Sequence, residues 1–117
     1  MADPELNLCV IRCEDIEVAA RFYRTIGLDL VKEKHRTGPT HYAAELGRLV
    51  FEIYPLGKRS PTTETRLGFD VVSVDDVLSE LAEDTIQQPA SRTERGYLAV
   101  VSDPDGHTVE LIQHSDT

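Results

Sequence analysis

The sequence predicts an α+β fold in which two βαβββ modules form a curved mixed sheet around a cavity. Three observations carry that prediction. The 117 residues suffice for one hydrophobic core and not for two. One order of elements occurs twice, on either side of a turn-rich stretch. The two halves also end alike, Val50-Phe51-Glu52-Ile53 lining up with Thr108-Val109-Glu110-Leu111.

The elements follow in order. LNLCVIRC, from Leu6, is apolar and β-branched and runs into the acidic pair Glu14 and Asp15, a strand feeding a helix start near Asp15. Ile16, Ala19, Ala20, Tyr23 and Ile26 recur at spacings of three and four, one apolar helical stripe, and Gly27 stands where the helix should stop. Three strands are expected next: LDLVKEK, HYAAEL after the Gly38-Pro39 break, and RLVFEIY after Gly47. PLGKRSPTTET then reads as a linker. Beyond it come RLGFDVVSV as strand, DDVLSELAED as helix, TIQQPA as a weak strand, and GYLAVVSD with HTVELIQH as a hairpin. Arg12-Cys13-Glu14-Asp15-Ile16 thereby matches Ser73-Val74-Asp75-Asp76-Val77. The modules are 6–55 and 67–114, with 56–66 between them. Neither can cover its own sheet, and pairing them places two sheets around a shared concavity.

Composition excludes several partners. A formal net charge of −9 repels phosphate backbones and anionic lipid, so no nucleic acid is expected. No apolar run reaches the roughly 18 to 20 residues of a membrane span, and MADPELNLCV lacks the basic start of a signal peptide, so a cytoplasmic protein is expected. Cys9 and Cys13 on one strand would stand about 13 Å apart, too far for a disulfide. Their spacing suits no zinc pair either, and they read as buried free thiols.

DIEVAARFYRTIGLDLV after the first strand and DPDGHTVELIQ near the end resemble the vicinal oxygen chelate superfamily, which includes glyoxalase I, bleomycin resistance proteins and extradiol dioxygenases. The resemblance runs from Leu6 to His114. It implies the paired-module fold, a small-molecule ligand and often a homodimer. In metal-dependent branches it implies an ion held from the first and last strands of each module. Carried over, the closing positions are Glu52 and Glu110, which match, and the opening positions are Leu8 and Phe69, which offer no lone pair. Two oxygen ligands make a weak site where a borderline cation wants at least three protein ligands.

Strand alternation sends His107 away from Glu110. His35, His41 and His114 read as surface residues, with His41 the one that could border the cavity. Glu52 and Glu110 are flanked by apolar neighbours at matching places; in one apolar pocket, repulsion and desolvation should raise at least one pKa. That suits proton transfer or capture of a cation, and the sequence leaves both open. Leu8, Val10, Val50, Tyr54, Phe69 and Val71 should wall the pocket, and a four-residue DPDG loop would set Ala99 opposite Glu110, adding Tyr97 and Val101. Arg12 is expected in an outer salt bridge and Arg95 at the cavity mouth. These readings favour a metal-independent protein that binds an aromatic or cationic small molecule, without a cofactor. The alternative is a lyase or isomerase of glyoxalase I type in which Glu52 and Glu110 hold nickel, zinc, manganese or iron, the site incomplete or helped by His41 or by a residue from a partner chain.

Overall fold

The structure is a computed structural model and describes residues 3–114. Strand β1 (Leu8–Cys13) leads to helix α1 (Ile16–Ile26) through Asp15, whose carboxylate accepts from the Glu17 and Val18 amides at 2.9 and 3.2 Å, satisfying two of the helix's unpaired donors. Gly27, at φ +125°, ends the helix as expected. Of the predicted stripe, Ala19, Ala20, Tyr23 and Ile26 are buried.

Strand β2 is only Val31–Glu33, because Leu28 and Leu30 turn inward as core residues before pairing begins. Strands β3 (His41–Leu46) and β4 (Leu49–Pro55) form a hairpin whose turn is Gly47-Arg48, and β4 pairs parallel with β1. The first sheet has the order β1-β4-β3-β2.

The second half repeats this plan. It runs β5 (Arg66–Asp70), α2 (Val74–Ser79), a single 3-10 turn (Glu83–Thr85), β6 (Ile86–Thr93), β7 (Gly96–Ser102) and β8 (Thr108–Gln113), with sheet order β5-β8-β7-β6. Helix α2 is shorter than the acidic stretch suggested; Ser73 caps it, accepting from the Asp76 amide at 3.1 Å. Strand β6 is longer than expected and twice breaks register around Pro89, which cannot donate to a ladder and belongs on an edge.

The helix-side faces of both sheets share one core. Tyr23 of α1 sits at its centre, its ring 5.3 Å from Phe51 of the first sheet and 6.1 Å from Phe69 of the second. The Asp103-Pro104-Asp105-Gly106 turn closes the seam. One Asp103 carboxylate oxygen accepts from the amides of Asp105, Gly106 and His107 at 2.9–3.0 Å. The other accepts from the Tyr23 hydroxyl at 2.6 Å and lies 2.8 Å from His107 Nδ1. Burial alone would raise the Asp103 pKa, but the bonds from His107 and Tyr23 hold it below the usual carboxylate range. Thr62 of the linker bridges the halves, meeting His107 Nε2 at 2.7 Å and the Arg12 amide at 3.0 Å. Both cysteines are free, Cys13 buried and Cys9 half-buried. Among the described residues no helix is long and apolar enough to cross a membrane.

Candidate binding site on the first sheet

With Phe51 and Ile53 turned into the core, alternation along β4 sends Val50, Glu52 and Tyr54 to the open face. Register then sets Leu8, Val10 and Arg12 beside them on β1, and Ala43 and Glu45 on β3. Glu33 and Val31 extend the same rows on β2. A cavity of about 470 Å³ opens there. Four of its lining residues, Asp29, Glu33, Glu45 and Glu52, carry carboxylates, none of the described lining residues is a cation, and Val31 and Val50 give it apolar wall.

His41 overturns the expectation of a surface histidine. It is 1% exposed because its ring stacks flat on Tyr54, centroids 4.2 Å apart at 6°. Its Nδ1 is 3.1 Å from the Pro39 carbonyl oxygen, and its Nε2 points between Glu33 Oε1 at 3.3 Å and Glu52 Oε2 at 3.7 Å. His35 is exposed as expected, its Nε2 3.3 Å from the same Glu33 oxygen. His114 is also exposed, 2.9 Å from Asp70.

Beyond the His41–Tyr54 stack the charge reverses. Arg12, Lys58 and Arg59 line a smaller hollow of about 290 Å³ together with Tyr54. Among the described residues Arg12 forms no salt bridge; its guanidinium donates to the Pro55 carbonyl at 3.4 Å and lies 5.3 Å over the Tyr54 ring. Burial, and then the Glu52 charge, raise the Tyr54 pKa.

Glu110 lies elsewhere and is already paired. On β8 it stands between Gly68 and Val100, and its two oxygens take Arg66 Nε at 2.7 Å and an Arg95 nitrogen at 2.9 Å. The Arg66 hydrogen bond, with help from Arg95, holds its pKa down. The raised pKa expected from a shared carboxylate pocket is therefore reversed at Glu110. Arg95 is a salt-bridge partner of this glutamate.

Other expected wall residues also move. Because Thr108 pairs with Ser102 and Val100 with Glu110, the register is one residue off the expected one. Tyr97 and Val101 consequently face the core side, and the Tyr97 hydroxyl donates to Asp75 at 2.8 Å. Phe69 and Val71 likewise pack against the core. In the repeat, Leu8 pairs with Val50 two residues before Glu52, and Arg66 pairs with Thr108 two residues before Glu110. The second-half counterpart of Leu8 is thus Arg66, not Phe69. Leu8 and Val10 do lie on the Glu52 face, as expected. His107 faces away from Glu110, buried in the seam with Asp103.

Sequence reasoning missed Asp29, Glu33 and Glu45, and undervalued His41. A signal was available: a two-residue turn at Gly47-Arg48 pairs 46 with 49, which sets 43 opposite 52 and 41 opposite 54.

This fold and its paired modules have a family. The chain belongs to the Glyoxalase/Bleomycin resistance protein/Dioxygenase superfamily, whose model matches residues 5–111. Among solved structures it is similar to TnmS3, an antibiotic binding protein from Streptomyces sp. CB03234, at 27% identity over 98% of this chain and 99% of that one, TM-score 0.76. It shares the fold of a glyoxalase-related enzyme from Fulvimarina pelagi, at 18% identity, 94% and 88% coverage and TM-score 0.70. It also shares that of lactoylglutathione lyase from Agrobacterium tumefaciens, at 19% identity, 96% and 95% coverage and TM-score 0.67. No curated protein sequence matches the chain significantly.

Proposed function

We propose that the protein captures a small organic cation, with aromatic character, on the open face of its first sheet. The observation that carries this reading is the ring of carboxylates from Asp29, Glu33, Glu45 and Glu52 in a cavity of about 470 Å³ whose lining holds no cation. Such a cavity is large enough for a drug-sized ligand. Gathered carboxylates repel one another, and a positive ligand relieves that repulsion. The stacked His41–Tyr54 pair beside it supplies an aromatic edge. Similarity to an antibiotic binding protein supports the same class of role.

This reading needs no ion at the family's own positions. Leu8 has no donor atom, its counterpart Arg66 is a cation, and Glu110 is satisfied by two guanidiniums. Chemistry of glyoxalase I type at those positions is accordingly disfavoured. Leu8 and Val31 are 50% and 56% exposed on the cavity face, apolar surface that suits cover by a second copy, so a homodimer forms part of the proposal.

Calorimetric titration with a panel of planar aromatic cations and their neutral isosteres tests the reading. At least one cation should bind, its isostere at least tenfold more weakly, and Glu52→Gln should cost the cation about tenfold, or about 1.4 kcal/mol. Equal affinity for both members of every pair, or no binding at all, would end it.

A further inference from the structure

One side chain on this sheet is buried without the partner its burial demands. His41 Nε2 is shut off from solvent and makes no hydrogen bond, a condition costing on the order of 1–3 kcal/mol if nothing fills it. We propose that Glu33, His35 and His41 form a site for a borderline divalent cation, zinc being the best match, with the Glu52 carboxylate beside it, 3.7 Å from His41 Nε2.

The tautomer of the neutral ring follows from the partner of the other ring nitrogen. A carbonyl can only accept, so Nδ1, 3.1 Å from the Pro39 oxygen, carries the proton in this assignment. In the neutral ring, Nε2 then presents a lone pair to two carboxylates, at 3.3 Å from Glu33 and 3.7 Å from Glu52. The lone pair and the carboxylates repel one another, and a cation beside them relieves that repulsion. Metal-binding histidines usually donate their second nitrogen to a carbonyl or carboxylate in this way.

The distances also suit an ion. Donors held about 2.1 Å from a tetrahedral centre stand about 3.4 Å apart, close to the 3.3 Å separating Glu33 Oε1 from Nε2 of both His41 and His35. One donor atom from each of Glu33, His35 and His41 lies within 4.8 Å of the others. The loop helps to bring them together. Arg36 takes the left-handed conformation at φ 54°, and the Gly38 amide donates to the His35 carbonyl at 2.9 Å, which folds His35 back until its ring is 5.4 Å from that of His41. Stacking on Tyr54 fixes the His41 ring.

Two imidazoles with carboxylates select a zinc-like dication over calcium or magnesium, which prefer oxygen alone. The other histidine cluster, Cys13, Asp103 and His107, lacks this character. Burial, reinforced by Asp105 and Asp103, raises the Cys13 thiol well above its ordinary pKa, and Asp103 already accepts from Tyr23 and three amides. The proposed donors come from β2, β3 and the loop between them, not from the family's first and last strands. The inference goes beyond ligand capture, since it needs the ion alone.

Protein stripped with chelator and titrated with zinc or cobalt(II), with no organic ligand, provides the test. One ion per chain should be retained through gel filtration, and cobalt should give the visible absorption of tetrahedral nitrogen and oxygen coordination. Glu33→Gln and His41→Gln should each weaken binding at least tenfold, and Glu110→Gln should change it less than twofold. Because substitution at buried His41 could disturb the fold, His35→Ala, at an exposed position, is the second probe; it should weaken binding several-fold with an unchanged melting temperature of the metal-free protein. No retained ion, or native affinity in both Glu33→Gln and His35→Ala, would overturn the site. Failure of cationic organic ligands would leave this result untouched.

Discussion

Glu52 and Glu110 occupy the same address in the two halves of the molecule, and their surroundings are opposite. Both side chains are similarly shielded, 18% and 12% exposed, so burial does not distinguish them. Their neighbours do. Glu110 meets two guanidiniums within 3 Å, whereas Glu52 has, among the described residues, a histidine nitrogen at 3.7 Å and shares its cavity with three other acids. At the equivalent register position the first half carries Leu8 and the second Arg66. A repeated backbone thus fixes where a carboxylate stands, and the cations beside it, Arg66 on the adjoining strand and Arg95 between β6 and β7, decide whether it is spent on structure or left for a ligand.

The largest effect should come from breaking the seam on which both halves depend. Removing the Asp103 carboxylate in Asp103→Ala strips a buried acceptor from Tyr23, His107 and three amides, and should cost about 3–5 kcal/mol. Tyr23→Phe, which leaves Asp103 its other donors, should cost about 1–2 kcal/mol. Chemical denaturation followed by fluorescence and by circular dichroism would measure both, and the two probes should report one transition. If one half melts before the other, the halves are not joined as the shared core implies.

An intermediate effect should follow from making Glu110 resemble Glu52. Arg66→Ala/Arg95→Ala removes both causes of its lowered pKa, which should climb toward the ordinary carboxylate value as seen by NMR titration of the side chain. A Glu110 titration unmoved by the double substitution would mean that the arginines are not what distinguishes the two sheets.

Much of this architecture was legible before any coordinates, and the reasons are local. Asp15 and Gly27 mark their helix ends through backbone chemistry that neighbours cannot alter, and Glu52 alternates with core residues on a strand of period two. The misplacements came from pairing. Taking DPDG as a four-residue loop shifted β7 by one residue, and with period two that turned Tyr97 from core to cavity. In fact the Asp103 amide donates to the His107 carbonyl, and Gly106 sits at φ +102°, which tightens the loop. His41 was undervalued because its burial depends on Tyr54, thirteen positions on and across a hairpin. The arginine clamp on Glu110 is hidden in the sequence because laying the halves on each other puts Phe69 in the place of Leu8, whereas the register gives that place to Arg66, on the open face of β5.

The smallest effect concerns pH. Glu110 has its folded pKa lowered by Arg66 and Arg95, so the folded state releases its proton more readily than the unfolded chain, where a glutamate titrates near 4.3. The stability it contributes is therefore fully present above about pH 5 and is lost as pH falls through the folded value. Both arginines remain charged throughout and are more than half exposed, at 56% and 63%, so water and salt screen the pairs and their contribution should be about 1 kcal/mol or less. The stability difference between the native protein and Glu110→Gln should hence be small and flat from pH 5 to 8 and shrink toward zero on the acid side. It should also fall when salt is raised to 1 M. A difference that grew with acid would reverse the sign of the shift and contradict the ion pairs as its cause; one insensitive to salt would point to packing around the side chain instead of charge.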